Sequence, residues 1–267
     1  MGDGMYWLRP DLDRAALGGV EWLDSALFDI DGVLIDTSGS YCRAVIAATE
    51  VLTRATLGEA AAERTDGEPL VTDEDVARFK LAGGFNSDWD LTQALVALCV
   101  ARRREWRGSA LAARPLAAWA EDATAATRAG AGGLDWLRGA VPASAIPAWD
   151  DARWSLDEFY WGAALLRELH GRAPRYSPAA PGLRQTERSL LAPETLPALA
   201  SLGLSRYGLI TGRVGLEVEW ALRLLAPEGE ARAVSGSHGP QSHPPFGIIV
   251  PADLYAKPDP RALMHAL

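Results

Sequence analysis

Residues 25–37 read Ser-Ala-Leu-Phe-Asp-Ile-Asp-Gly-Val-Leu-Ile-Asp-Thr, and this stretch decides the fold. Ser25 to Ile30 is a short apolar run bounded by Asp24 and by the Asp31-Gly32 turn, the pattern of a buried strand. Two residues apart at the end of a strand, Asp29 and Asp31 leave the backbone on the same side. Like charges this close are costly unless a cation lies between them or one takes a proton. The pair therefore suits a nucleophilic carboxylate beside an acid/base carboxylate, with Mg²⁺ held nearby. Taken alone, Asp-x-Asp is more often a solvated charge pair in a turn.

Outward from this strand, the pattern turns helical. Val45, Ala48 and Leu52 carry helical spacing within 39–57, and Thr72-x-x-Asp75 resembles a capping box that opens a helix toward Lys80. Gly83-Gly84 ends it, and a further helix is expected from about Asp88 to Arg107. The Ala/Gly/Pro/Arg-rich segment 108–151 has weak periodicity and leaves its elements unplaced. Ser155-x-x-Glu158 reads as the start of another helix that ends near His170-Gly171, before a connector from Arg172 to Leu183. Helical signal returns from Pro193 to Leu202. A strand follows at 206–211, a helix at 214–225, a strand at 245–251 and a loop with Lys257-Pro258-Asp259-Pro260. Strands separated by helices predict an α/β fold, a Rossmann-like, doubly wound parallel sheet with a long helical insertion. Ligands of such sheets bind beyond the carboxyl ends of the strands, here Asp29–Asp31, Thr211–Arg213 and the Lys257 loop.

The string Phe28 to Thr37 resembles the first motif of the haloacid dehalogenase superfamily. In that family's phosphatases the first Asp attacks phosphorus and the second protonates the leaving group; true haloacid dehalogenases lack the second. The resemblance makes Asp29 the nucleophile and Asp31 the acid/base, both serving Mg²⁺, with the Asp31 carbonyl also on the metal. Leu209-Ile210-Thr211-Gly212-Arg213 is similar to the second motif, whose hydroxyl residue binds the transferring phosphate. Gly212, Arg213 and the N-terminus of the next helix are expected to assist. Lys257 in Ala-Lys-Pro-Asp-Pro is similar to the third motif, which supplies a lysine to the phosphoryl oxygens and the nucleophile. Lys80 and Lys257 are the only lysines in an arginine-rich chain, which adds weight to a lysine kept in a loop.

The resemblance implies core segments 1–39 and 191–267 and an α-helical cap domain, 40–190. Within the cap, Gly83 to Thr92 and Tyr160-Trp161-Gly162 resemble a group of hydrolases or phosphatases in subfamily I. Asn86, Asp88 and Asp90 beside the glycine break are candidates to face substrate, against the plainer reading of Asp88 as an N-cap and Asp90 as a dipole partner. Seven of the ten tryptophans fall in the cap, mostly as its core. The four histidines, His170, His238, His243 and His265, show no ligand spacing.

The chain has 267 residues, 48% hydrophobic and 23% charged, a globular composition with a formal net charge of −9. That acidic balance speaks against nucleic-acid binding, which needs a basic face. Cys42 and Cys99 cannot form a disulfide framework and read as reduced thiols. Neither a signal peptide nor a membrane-length apolar run is visible. These features predict a cytoplasmic protein with no membrane partner; the resemblance implies a small phosphorylated metabolite as substrate, and a homodimer is one assembly open to it, the sequence leaving the oligomeric state undecided. The family's fourth motif, an acidic strand end that completes the Mg²⁺ shell, has no counterpart in the residues after Lys257. The expectation is a truncated chain whose first strand is an exposed apolar edge.

The expected function is thus a Mg²⁺-dependent phosphatase working through an aspartyl-phosphate. The alternatives are a phosphomutase, a phosphonate hydrolase using Lys80 as a Schiff base, and a phospho-ligand-binding protein without turnover.

Overall fold

The computed structural model describes residues 24–58, 69–103, 114–177, 181–226, 246–257 and 259–266. In chain order the elements begin with β1 (Ser25–Phe28), β2 (Ile35–Asp36), α1 (Tyr41–Leu57), α2 (Asp73–Ala82) and α3 (Asp88–Arg103). They continue with α4 (Leu116–Arg128), α5 (Leu134–Ala140), α6 (Trp149–His170), β3 (Arg188–Ser189) and α7 (Thr195–Ser201). The remainder is β4 (Arg206–Ile210), α8 (Gly215–Leu225), β5 (Phe246–Val250) and α9 (Pro260–Ala266). The chain forms two compact units, Ile35–Arg188 and the segments on either side of it.

The flanking unit is an α/β layer. Its sheet has the order β1-β4-β5, and both pairings are parallel. Gly208 sits at the centre of the middle strand, where a Cβ would come within 2.6 Å of Leu27 Cδ2 and of Ile248 Cγ2. A side chain there would force the neighbouring strands' aliphatics apart. Fully buried Ile30, Leu209 and Val250 lie at or next to the carboxyl ends of the three strands, and Val218, Ala221 and Leu225 give α8 its buried face. Among the described residues no strand pairs with the outer edge of β1, whose Ala26, Leu27 and Phe28 are half-buried.

The unit Ile35–Arg188 is helical. Leu91 and the run Ala94–Val100 of α3 are buried on every side, as a helix does when it is surrounded. It packs against α1 and α6, while α2 packs against α4. The Thr72/Asp75 capping box is present in both directions: Thr72 Oγ1 accepts from the Asp75 N–H, and the Asp75 carboxylate accepts from the Thr72 N–H. Gly83 and Gly84 end α2 with φ of +80° and +77°. A Cβ at Gly84 would come 2.4 Å from the Gly133 nitrogen, so the break is also a glycine-to-glycine contact between loops.

Two local expectations are corrected. The helix assigned to Ser155 begins at Trp149, because Ser155 and Glu158 are not a capping box; the Ser155 hydroxyl donates to the Ala152 carbonyl, 2.9 Å away within the helix. α6 is kinked at Gly162, whose φ of +79° and bridge to Pro181 break the helical ladder. The segment 108–151 resolves into α4 and α5 where it is described; residues 104–113, including Trp106, lie outside the described residues. No helix among the described residues is long and apolar enough to cross a membrane.

Candidate active site

Three turns at the carboxyl ends of β1, β4 and β5 carry Asp29/Asp31, Thr211/Arg213 and Lys257. In the first, fully buried Ile30 anchors the chain between the two half-buried aspartates. Its carbonyl accepts from the N–H groups of Val33 and Leu34 at 3.3 and 2.9 Å, closing the turn. Gly32 has φ of +72° in this turn, a conformation that an L side chain would strain.

Each aspartate is held at one oxygen by a different cation. Lys257 Nζ lies 2.7 Å from Asp29 Oδ1, which also accepts from the Ile30 N–H at 2.8 Å. Arg213 donates through Nε to Asp31 Oδ1 at 2.9 Å, and its Nη2 lies 2.8 Å from the same oxygen as an ion pair. Among the described residues, Oδ2 of Asp29 and Oδ2 of Asp31 have no hydrogen-bond partner. Two carboxylates two residues apart thus coexist because each faces a positive group.

Thr211 is fully buried, and its hydroxyl oxygen accepts from the Arg213 N–H at 3.1 Å. A hydroxyl that accepts in this way keeps its own proton for a further acceptor. Gly212 has open space where a Cβ would lie. At the start of α8, Glu217 in its first turn accepts from the Val214 N–H at 3.1 Å, so a carboxylate of the chain itself uses that donor.

The sequence-derived candidates of the helical unit are differently engaged. Ser87 caps α3: its carbonyl accepts from the Leu91 N–H and its hydroxyl from the Asp90 N–H, a role read from sequence as that of Asp88. Asp88 pairs with Lys80 at 2.9 Å, so that lysine is ion-paired within its own unit. Asp90 accepts from Trp149 Nε1 at 2.7 Å, and Asn86 is exposed. His170 packs on Trp161 and His265 on Tyr255, while His238 and His243 lie outside the described residues. Cys42 is half-buried beside Asp73, 3.3 Å away, and burial together with that carboxylate pushes its thiol up to about 11. A thiol so protonated is a poor nucleophile.

Sequence reading missed two tertiary partners and one local one: Arg213 for Asp31, Glu158 for a loop 17–19 residues downstream, and Glu217 for the Val214 N–H three residues before it. The first bonds across 182 residues and has no local signal. The Glu at N3 of α8 is visible as half a capping box.

No family model matches the chain. No curated protein matches it either. Among solved structures, a phosphatase, Tt82 from Thermococcus thioreducens, aligns with a TM-score of 0.56 at 24% identity, over 90% of this chain and 77% of that one. The likeness is one of fold. A structural-genomics target aligns at a TM-score of 0.42 and 15% identity, over 76% of this chain and 66% of its own.

Among the described residues, no three His, Cys, Asp or Glu side chains cluster as a metal cage. Mg²⁺ is commonly bound by one or two carboxylates, with water and substrate phosphate completing an octahedron. The carboxylates of Asp29 and Asp31 and the backbone carbonyl of Asp31 are oxygen donors of the kind that chemistry uses.

Proposed function

We propose that the chain is a phosphoric monoester hydrolase of the haloacid dehalogenase type, acting on a small phosphorylated metabolite. The observation that carries this reading is the pinned Asp29: Lys257 and the Ile30 N–H fix Oδ1, and Oδ2 is left uncommitted two residues from a second carboxylate. Bound at Asp29 and Asp31, Mg²⁺ would neutralise charge on the phosphoryl oxygens.

Asp29 Oδ2 attacks phosphorus in line with the ester oxygen; the new O–P bond forms as the P–O ester bond breaks. Asp31, protonated at that stage, gives its proton to the departing oxygen, so the alcohol leaves neutral. The resulting aspartyl-phosphate is opened by water. Asp31, now a carboxylate, takes the water proton as its oxygen attacks phosphorus, and inorganic phosphate leaves with the Asp29 carboxylate restored. The Thr211 hydroxyl and the Lys257 ammonium hold the phosphoryl oxygens throughout, and their value lies in being placed beforehand. We assign the helical unit the role of a cap that reads the leaving group and excludes water.

The test is phosphate release from a panel of phosphate monoesters with Mg²⁺, comparing the chain with its Asp29→Asn form. Turnover abolished by Asp29→Asn supports the proposal. Equal turnover in both would remove Asp29 as nucleophile, and binding of phosphate esters without turnover in either would make the protein a phospho-ligand binder.

A further inference from the structure

We propose that Arg213 is a positioning residue that fixes the proton-transferring carboxylate of Asp31, an inference that rests on the phosphatase reading above. Arg213 was expected to bind substrate phosphate, yet its side chain is only 1% exposed and its Nε and Nη2 both reach Asp31 Oδ1. A guanidinium buried this deeply needs a counter-charge, and Asp31 supplies it. Asp31 itself remains 31% exposed, so the contact joins a rigid interior group to a carboxylate that still opens outward.

The backbone of Arg213 is held on both sides. Its N–H donates to Thr211 Oγ1 at 3.1 Å, and its carbonyl accepts from the Ala252 N–H at 2.9 Å. The guanidinium therefore starts from a fixed point between the turns after β4 and β5. Two guanidinium nitrogens converging on one oxygen restrict how the carboxylate can turn, and the oxygen left without a partner among the described residues, Oδ2, is the one available to carry a proton. Lys257 divides the oxygens of Asp29 in the same way. The two cations thus give the two carboxylates separate tasks. Lysine at 213 would keep the charge and lose the two-point direction.

Leaving groups separate this role from a merely structural one. A p-nitrophenolate departs without protonation, whereas an alkoxide needs a proton, so in the step that forms the aspartyl-phosphate correct placement of Asp31 matters for alkyl phosphates and little for p-nitrophenyl phosphate. The experiment measures, in a single turnover of the full chain, the rate of leaving-group release and its half-saturating substrate concentration for p-nitrophenyl phosphate and for glycerol phosphate in wild type, Asp31→Asn and Arg213→Lys. Asp31→Asn is expected to slow the release from the alkyl ester by about 10²- to 10⁴-fold more than the release of p-nitrophenolate, while the later opening of the aspartyl-phosphate, which also uses Asp31, slows for both. Arg213→Lys should show the same selectivity in the release step at about 10- to 100-fold with half-saturation unchanged.

Equal losses in the release step on both substrates, or a raised half-saturating concentration for both, in a protein whose Asp31→Asn form is selective would overturn the role of Arg213. An Asp31→Asn form without selectivity would instead remove the acid assignment beneath it. Should Arg213→Lys not fold, Asp31→Asn/Arg213→Gln keeps the buried pair uncharged. Its ratio of the two rates should equal that of Asp31→Asn alone, and a further tenfold loss on both esters would contradict the proposal.

Discussion

Glu158→Gln is expected to loosen the helical unit without touching the chemistry. Glu158 is 0% exposed, and its two oxygens receive three consecutive backbone N–H groups. The Arg175 N–H reaches Oε2 at 2.6 Å, the Tyr176 N–H lies 2.9 Å from Oε1 and 3.1 Å from Oε2, and the Ser177 N–H binds Oε1. A run of N–H donors of this kind is a cradle for an anion. Glutamine keeps one acceptor oxygen and turns a donor toward the remaining N–H groups, so at least one charge-assisted bond is lost and replaced by a donor-to-donor contact. At about 1.5–3 kcal/mol for such a bond, plus the cost of the orphaned donor, the loss is about 2–4 kcal/mol. The exposure of Arg172, Ala173 and Arg175 lets the loop detach and hydrate, which sets the upper limit. The stacking of Arg172 and Arg175 on Trp154 and the Arg175–Asp151 ion pair at 3.0 Å would hold the loop less firmly. The assay is thermal unfolding with amide exchange at 175–177. A fall of roughly 5–15 °C with faster exchange at those amides is expected. A melting temperature within a degree of wild type and unchanged exchange would refute the reasoning.

Three further outcomes follow from the geometry. Gly84→Ala adds a Cβ 2.4 Å from the Gly133 nitrogen at a φ of +77°, and should cost roughly 2–4 kcal/mol in denaturant unfolding; an unchanged midpoint would count against the contact. Asp31→Asn takes one counter-charge from the buried Arg213. Removing one partner of a fully buried pair costs about 3–5 kcal/mol, and the partial exposure of Asp31 reduces this to about 1–3. Asp31→Asn/Arg213→Met should cost less than the sum of the two single substitutions, and strict additivity would deny the coupling. With its thiol near 11 in place of 9.0, Cys42 should react with iodoacetamide at pH 8 about 100-fold more slowly than an ordinary thiol. Asp73→Asn should speed that reaction, since the carboxylate both accepts from the thiol and repels the thiolate; an unaltered rate would remove Asp73 as a cause.

The core was legible because its signals are local. An apolar run ending in Asp-x-Asp-Gly, a Thr-Gly turn and a loop lysine each mark the end of a strand, and the parallel sheet brings the ends together. The break at Gly83-Gly84 was legible too, but its cause was not, since Gly133 lies far along the chain. Ser155-x-x-Glu158 misled because the same spacing occurs inside a helix: Glu158 answers to a downstream loop rather than to a helix start. The alanine-rich helix α4 escaped because alanine fits an apolar and a polar face alike, which flattens the periodicity, and α5, with 7 residues, is too short to show one. Asp90 could be singled out as a polar group near a glycine break, yet its bond to Trp149 spans 59 residues. The partner of Asp31 could not be read at all, because a pairing between strand ends is fixed by the sheet and not by the residues next to either end.

The account stands or falls on Asp29 as nucleophile. The direct measurement is to quench the chain during turnover of a phosphate monoester with Mg²⁺, reduce with borohydride and map the peptides by mass spectrometry. An aspartyl-phosphate at Asp29 would be reduced to homoserine at that position, in wild type and not in Asp29→Asn. Phosphate release with homoserine at another position, or with Asp29 unaltered under conditions that trap a known aspartyl-phosphate enzyme, would contradict the account.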